Sequence, residues 1–211
     1  MTKTSSIENI FNEYKTNYKD GPSFTIDFYK NNSIILDNIT TFQTSEELRI
    51  FIELTWQYLN AKYSKGHYSD VIDIVSKKRS LLDSEIIRLD NSNLKDDWYY
   101  GIIFISGMSN YSLKKYKKAI SIFQELVNYD SKSDRFKDWL NHSIYGQRSW
   151  LTRTVLFTSL IFIGAQILLD IFYKHFAFNG ALLDIGMLGL VSSALYEFFM
   201  RYKFRITTGK R

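Results

Sequence analysis

The chain has 211 residues, 45% hydrophobic and 17% aromatic, with 27 Lys and Arg against 22 Asp and Glu, a single proline and no cysteine. The absence of cysteine excludes a disulfide framework and a thiolate metal site, and the scarcity of proline and glycine argues for helices over a turn-rich β fold. Residues 1–147 carry 19 basic and 19 acidic side chains and residues 148–211 carry 8 and 3, so the net charge of +5 belongs to the tail. That basicity is read as topological, and no nucleic-acid partner is expected.

The opening MTKTSSIENI lacks a basic region followed by an apolar core, so no signal peptide is read there. Ser5-x-x-Glu8 is a capping-box pattern, and Ile7, Ile10, Phe11, Tyr14 and Tyr18 follow at helical spacing until Asp20-Gly21-Pro22. Residues 23–43 admit two readings. Phe24, Ile26 and Phe28 alternate as in an extended segment, whereas SIILDNITTF reads as a short helix. Residues 1–44 are expected to form a helical or irregular segment packed on the helices of residues 45–147. Thr44-x-x-Glu47 is a second capping box, opening a helix from about residue 45 to 64.

From there the chain repeats itself. Placing residues 52–75 over 100–123 aligns Trp56 with Phe104, Tyr63 with Tyr111, Tyr68 with Tyr116, Ile72 with Ile120, Ile74 with Ile122 and Val75 with Phe123. Each copy is predicted to be a helical hairpin with a short break, KGH or LKK, and a second helix starting at the shared tyrosine. Those second helices are placed at about 68–82 and 116–129, with SEIIRLDNSNLKDD as the link between copies. A further helix is expected over about 133–145.

Gly107, Tyr116, Ala119 and Phe123 carry a resemblance to the tetratricopeptide repeat, with Ala119-x-x-x-Phe123 matching its second-helix pattern. The first copy keeps Gly66, Tyr68, Val71 and Val75 but has Leu59 at the small position, and the period of 48 exceeds the usual 34. The resemblance implies an all-α repeat domain over residues 45–147 whose first helices line a groove for a protein or peptide partner. The groove positions it implies are Trp56, Asn60 and Tyr63 in one copy and Phe104, Met108 and Tyr111 in the other. Packing of these side chains into the core, or against the N-terminal helices, is the competing expectation.

Lys114, Lys115, Lys117 and Lys118 read as a solvated face, as do Lys77, Lys78 and Arg79. Arg135 and His142 fit the loose Arg-x(4–6)-His pattern of HEPN-family ribonucleases, with Phe136 where those enzymes prefer a polar residue. His67, His142 and His175 are scattered, with no metal-ligand spacing, and no phosphate-binding loop or nucleophile elbow occurs. No cofactor, metal or catalytic residue is expected.

Residues 151–211 are the most distinctive stretch. Sixteen uncharged residues separate Arg153 from Asp170, and a second apolar block runs from Ala181 to Met200. Spans at about 154–173 and 181–200 have the roughly 20-residue length that crosses a bilayer. Asp170, Asp184 and Glu197 are expected at the interfaces, with Lys174 four residues after Asp170 and Arg201 four after Glu197. Gly164 and Ala165 are expected to meet Gly186, Gly189 and Ser193 where the two helices approach. Arg148 and Arg153 before the first span, and Arg201, Lys203, Arg205, Lys210 and Arg211 after the second, outweigh Lys174 in the loop. Both termini are therefore placed in the cytoplasm. An abundance of Ile, Asn, Lys and Tyr, as AT-rich codons would produce, favours a bacterial inner membrane. These features predict a membrane-anchored adaptor that recruits a protein partner. The alternatives are an oligomeric membrane effector or pore built from the hairpin, and a membrane-bound HEPN-like ribonuclease.

Overall fold

The computed structural model describes residues 6–18, 21–90, 94–95, 97–172 and 180–208. Of the described residues 86% are helical and none is in a strand. The helices are α1 (Ser6–Asn17), α2 (Pro22–Asn31), α3 (Ser33–Leu36), α4 (Ser45–Ser64), α5 (Tyr68–Arg88), α6 (Asp97–Ser112), α7 (Tyr116–Tyr129), α8 (Asp134–Phe172) and α9 (Ala181–Thr208). They divide into two compact units, Met1–Lys132 and Ser133–Arg211. The helix expected over 133–145 and the first apolar span are one continuous helix, α8, which belongs wholly to the second unit.

In the first unit α4 is the hub, with α1, α2, α5 and α6 packed against it. The undecided segment 23–43 contains α2 and α3. Pro22 takes the first helical position after Gly21, whose φ of 128° suits only glycine, and proline's fixed φ pre-forms that first turn. Phe24 and Phe28 share a face one turn apart and surround the Tyr14 ring of α1, at 6.0 and 5.2 Å between centroids. Tyr29, from the same helix, stacks on Tyr58 of α4 at 3.9 Å with the rings nearly parallel. Thr44 caps α4 as expected, its Oγ1 accepting the Glu47 amide at 3.1 Å, while Glu47 reaches back one residue beyond the cap to accept the Gln43 amide at 2.7 Å. Ser5, the first residue of the other box, lies outside the described residues.

The turns of the two hairpins α4–α5 and α6–α7 match in backbone detail at the offset of 48. Gly66 and Lys114 both sit in the left-handed region, at φ 80° and 58°, and the residues after them have nearly identical dihedrals. The His67 amide bonds the Lys62 carbonyl at 3.0 Å, and the Lys115 amide bonds the Asn110 carbonyl at 2.8 Å. With Gly66 to Tyr63 and Lys114 to Tyr111, both breaks are the same helix-terminating Schellman turn. Across each turn a tyrosine pair closes the corner, Tyr63 with Tyr68 at 5.2 Å and Tyr111 with Tyr116 at 5.5 Å. α6 then packs on α4 and α5 as well as on its own partner α7.

Two sequence expectations are corrected here. α5 does not end at Leu82 but continues to Arg88, because Glu85 and Ile86 are buried and extend its inner face. Lys78 and Arg79 do not lie on a solvated face. Lys78 pairs with Asp37 at 3.0 Å and sits 4.8 Å above the Phe51 ring, and Arg79 pairs with Glu125 of α7. Lys77 remains exposed.

Candidate functional site

The groove positions of the first unit separate by burial. Trp56 is half-buried, lies against Gly101 and meets Trp98 edge-on at 4.6 Å, so it seals α4 to α6. Phe104 is 2% exposed and packs on Phe123 at 5.6 Å. It is a core side chain, and the expectation that it lines an open groove is corrected. Asn60 is exposed, and Tyr63, Met108 and Tyr111 are half-buried, so these four keep a surface. Trp98, half of the indole pair, was not singled out in the sequence, because its partner is 42 residues away.

Gly107 sits where α6 meets α7. A Cβ there would stand 2.8 Å from the Phe123 ring and 3.1 Å from Ile122 Cγ2. Phe123 and Ala119 are completely enclosed, so α6 and α7 approach only because residue 107 has no side chain. Lys62 and Asp70 tie α4 to α5 at 2.6 Å. Burial pulls the Lys62 ammonium down, but the Asp70 hydrogen bond and the Tyr58 hydroxyl more than offset it, and the Asp70 carboxyl is held below the usual range chiefly by Lys62. Glu85 accepts the Phe42 amide at 2.8 Å and pairs with Arg88 at 2.6 Å, while Arg88 also donates to the Phe42 carbonyl. The Arg88 hydrogen bond, reinforced by the Phe42 amide, holds the Glu85 carboxyl below its ordinary value despite burial.

Arg135 and His142 are both exposed on α8, and His142 lies 6.1 Å from the Trp139 ring. No group of three His, Asp or Glu side chains is gathered among the described residues.

No family model, curated protein or solved structure matches this chain.

The second unit differs from the first in what it leaves outside. Asp134–Ile171 and Ala181–Phe199 are long and apolar enough to cross a membrane, and only 11% of the most apolar stretch of each is buried. Phe157, Leu168, Ile171, Leu188, Leu195 and Phe198 are all more than half exposed. The core helices of the first unit bury side chains of the same kind almost completely.

α8 and α9 pack through small residues on one side only. A Cβ on Gly186 would stand 2.6 Å from Ile163 Cγ1 and 3.0 Å from the Ser159 carbonyl oxygen, and one on Gly189 would collide with Ser159 Oγ. Ser193, one turn on, is 5% exposed, as expected for this face. Gly164 is not part of the contact, having open space where a Cβ would be; Ser159 and Ile163 take its place. Gln166, 2% exposed, donates to Asp170 at 2.8 Å near the end of α8. Arg153, Asp170 and Asp184 are exposed and Glu197 is half-buried. Lys174 and the Arg201 side chain lie outside the described residues.

These contacts also set the stagger of the two helices. Residue 186 sits between 159 and 163, and 189 between 155 and 159. Paired positions therefore add to about 347 along the antiparallel pair, which puts Asp184 level with about residue 163. On its own helix Asp184 lies in the first turn, three residues after the start of α9 at Ala181.

Proposed function

We propose that the chain is a membrane-anchored adaptor: the α8–α9 hairpin crosses a bilayer and tethers a tetratricopeptide-like helical domain, which recruits a protein partner at the cytoplasmic face. The anchor is supported by the inversion of burial between the units. A helix of a soluble core would hide its apolar surface, whereas α8 and α9 expose theirs over the length that hydrocarbon would cover. An α-helix satisfies its interior backbone groups within itself, as lipid requires. Charge supports both termini on the cytoplasmic side, since Arg148 and Arg153 precede one span and Arg201, Lys203 and Arg205 follow the other.

The recruiting role is supported by the duplicated hairpin, with Gly107 seated under Phe123 and identical Schellman turns at Gly66 and Lys114. Asn60, Tyr63, Met108 and Tyr111 are the side chains this reading assigns to the partner surface, two aromatics and a methionine being suited to an adaptable contact. Confinement to a membrane raises the effective concentration of any partner it captures. The test is alkaline carbonate extraction. The full chain is expected in the membrane pellet and a chain ending at residue 147 in the supernatant. Release of the full chain would refute the anchor.

A further inference from the structure

Resting on the membrane anchor proposed above, we infer that the turn between α6 and α7 docks on the headgroups of an anionic bilayer, with Lys114, Lys115, Lys117 and Lys118 against the lipid and Leu113 among them. Charge carries the inference. The first unit holds 17 basic and 17 acidic side chains, yet no acidic one occurs between Asp97 and Glu125, the stretch that contains all four lysines. All four are exposed, and none is in an ion pair among the described residues. The rest of the unit carries 13 basic against 17 acidic side chains, so a negative surface attracts this turn and repels the remainder.

The fold gathers further cations at the same end. α5 returns along α4, and α6 returns along α5, where Tyr99 in the first turn of α6 donates to Asp83 near the close of α5. The α4–α5 turn and the α6–α7 turn therefore lie at one end of the unit, and the first of them brings Lys65 and His67, both exposed. Lys30 of α2 is close enough for its charge to act on the Asp70 carboxylate beside that turn. Asp70 is itself neutralised by Lys62 at 2.6 Å. Glu46 and Glu47, by contrast, open α4 at the opposite end.

The kind of cation decides the kind of surface. A lysine ammonium is a point charge on a flexible stem, suited to a diffuse sheet of headgroups, whereas recognition of a single phosphate or carboxylate favours the planar fork of arginine. Arg49, Arg79 and Arg88 are already paired, with Glu46, Glu125 and Glu85. Leu113, 37% exposed beside Lys114, supplies an apolar side chain for the headgroup boundary. Lys114 points the same way: at φ 58° it holds the left-handed conformation that glycine fills at Gly66 in the other turn, so a charge is kept where glycine would be relaxed. The anchor confines the unit beside lipid, so a modest attraction per lysine suffices.

The chain has no cysteine, so a single introduced cysteine carries one label. The full chain, with an environment-sensitive dye on Leu113→Cys or on the exposed Ser84→Cys near the close of α5, is placed in nanodiscs of phosphatidylcholine with or without phosphatidylglycerol. The expected result is a blue shift at position 113 in the anionic discs alone, reversed by high salt, and no shift at position 84. From the docked fraction as the anionic lipid is varied, Lys117→Gln with Lys118→Gln should weaken docking about thirtyfold, and Lys114→Gly about fivefold even though it relaxes the turn. A dye at 113 indifferent to lipid charge, an equal shift at 84, or docking indifferent to the lysine substitutions would overturn the inference and leave the anchor standing. A shift at 113 produced in neutral discs by a hexaglutamate peptide or a short RNA, and not by anionic lipid, would overturn it in favour of a soluble polyanion. A chain that does not enter the discs at all would defeat the anchor and the docking together.

Discussion

Replacing Gly107 by alanine puts two effects of opposite sign against each other. In an ordinary helix interior, alanine is better than glycine by about 1 kcal/mol, so the substitution should stabilise α6. Here the new methyl would stand 2.8 Å from two atoms of the Phe123 ring and 3.1 Å from Ile122. The ring cannot swing away, because Phe123 is fully enclosed and held by Phe104. Forcing a methyl into a filled core costs about 1–3 kcal/mol. Set against the helix gain, the expected result is a net loss of about 1 kcal/mol. Urea unfolding of the full chain in detergent, with Trp139 and Trp150 replaced by phenylalanine so that fluorescence reports Trp56 and Trp98 of the first unit, measures it. Phe123→Leu in the same background should recover much of the loss, since the smaller side chain vacates the space the methyl needs. A gain in stability of about 1 kcal/mol from Gly107→Ala alone would refute the close approach of α6 and α7 at this position.

Three further outcomes rest on contacts in the same unit. Lys114 holds a left-handed conformation that costs a side-chain-bearing residue about 1–2 kcal/mol, so Lys114→Gly should raise stability by about 0.5–1 kcal/mol and Gly66→Ala should lower it comparably in the same unfolding assay. Thr44→Ala removes the hydroxyl that accepts the Glu47 amide and should cost about 1 kcal/mol. Glu85 has its folded pKa below the ordinary carboxylate range, so its contribution is present above that range and is lost as the pH falls through the folded value. Glu85→Gln should therefore cost about 1 kcal/mol at neutral pH and flatten the fall in stability on acidification, which melting temperatures between roughly pH 7 and 3 would show.

The sequence revealed what is encoded locally. Helices over 45–64 and 116–129 match α4 and α7 because a capping box opens one and a turn between tyrosines opens the other. The offset of 48 was visible for the same reason: each hairpin repeats its own turn chemistry. Segment 23–43 was ambiguous because Phe24, Ile26 and Phe28 satisfy a period of two while Phe24 and Phe28 also satisfy one of four, and only the Tyr14 ring decides between them. Lys78 and Arg79 read as solvent-facing because their partners, Asp37 and Glu125, lie 41 and 46 residues away. Phe104 was placed in a groove by the resemblance to the tetratricopeptide repeat, which implies a face but not how closely a neighbour covers it. The hairpin followed the same division. Two apolar runs were plain, but which glycines meet the other helix depends on a rotation and a stagger that neither run contains.

The most direct test of the central claim, a hairpin that crosses the membrane with both ends in the cytoplasm, is sidedness of labelling in intact cells. Ser69→Cys, exposed in the first turn of α5, and His175→Cys, between the two spans, are treated separately with a membrane-impermeant maleimide. The expected result is labelling of position 175 in intact cells and of position 69 only after lysis. If position 175 stays unlabelled until lysis, as position 69 should, the hairpin does not span the membrane and the anchor is wrong.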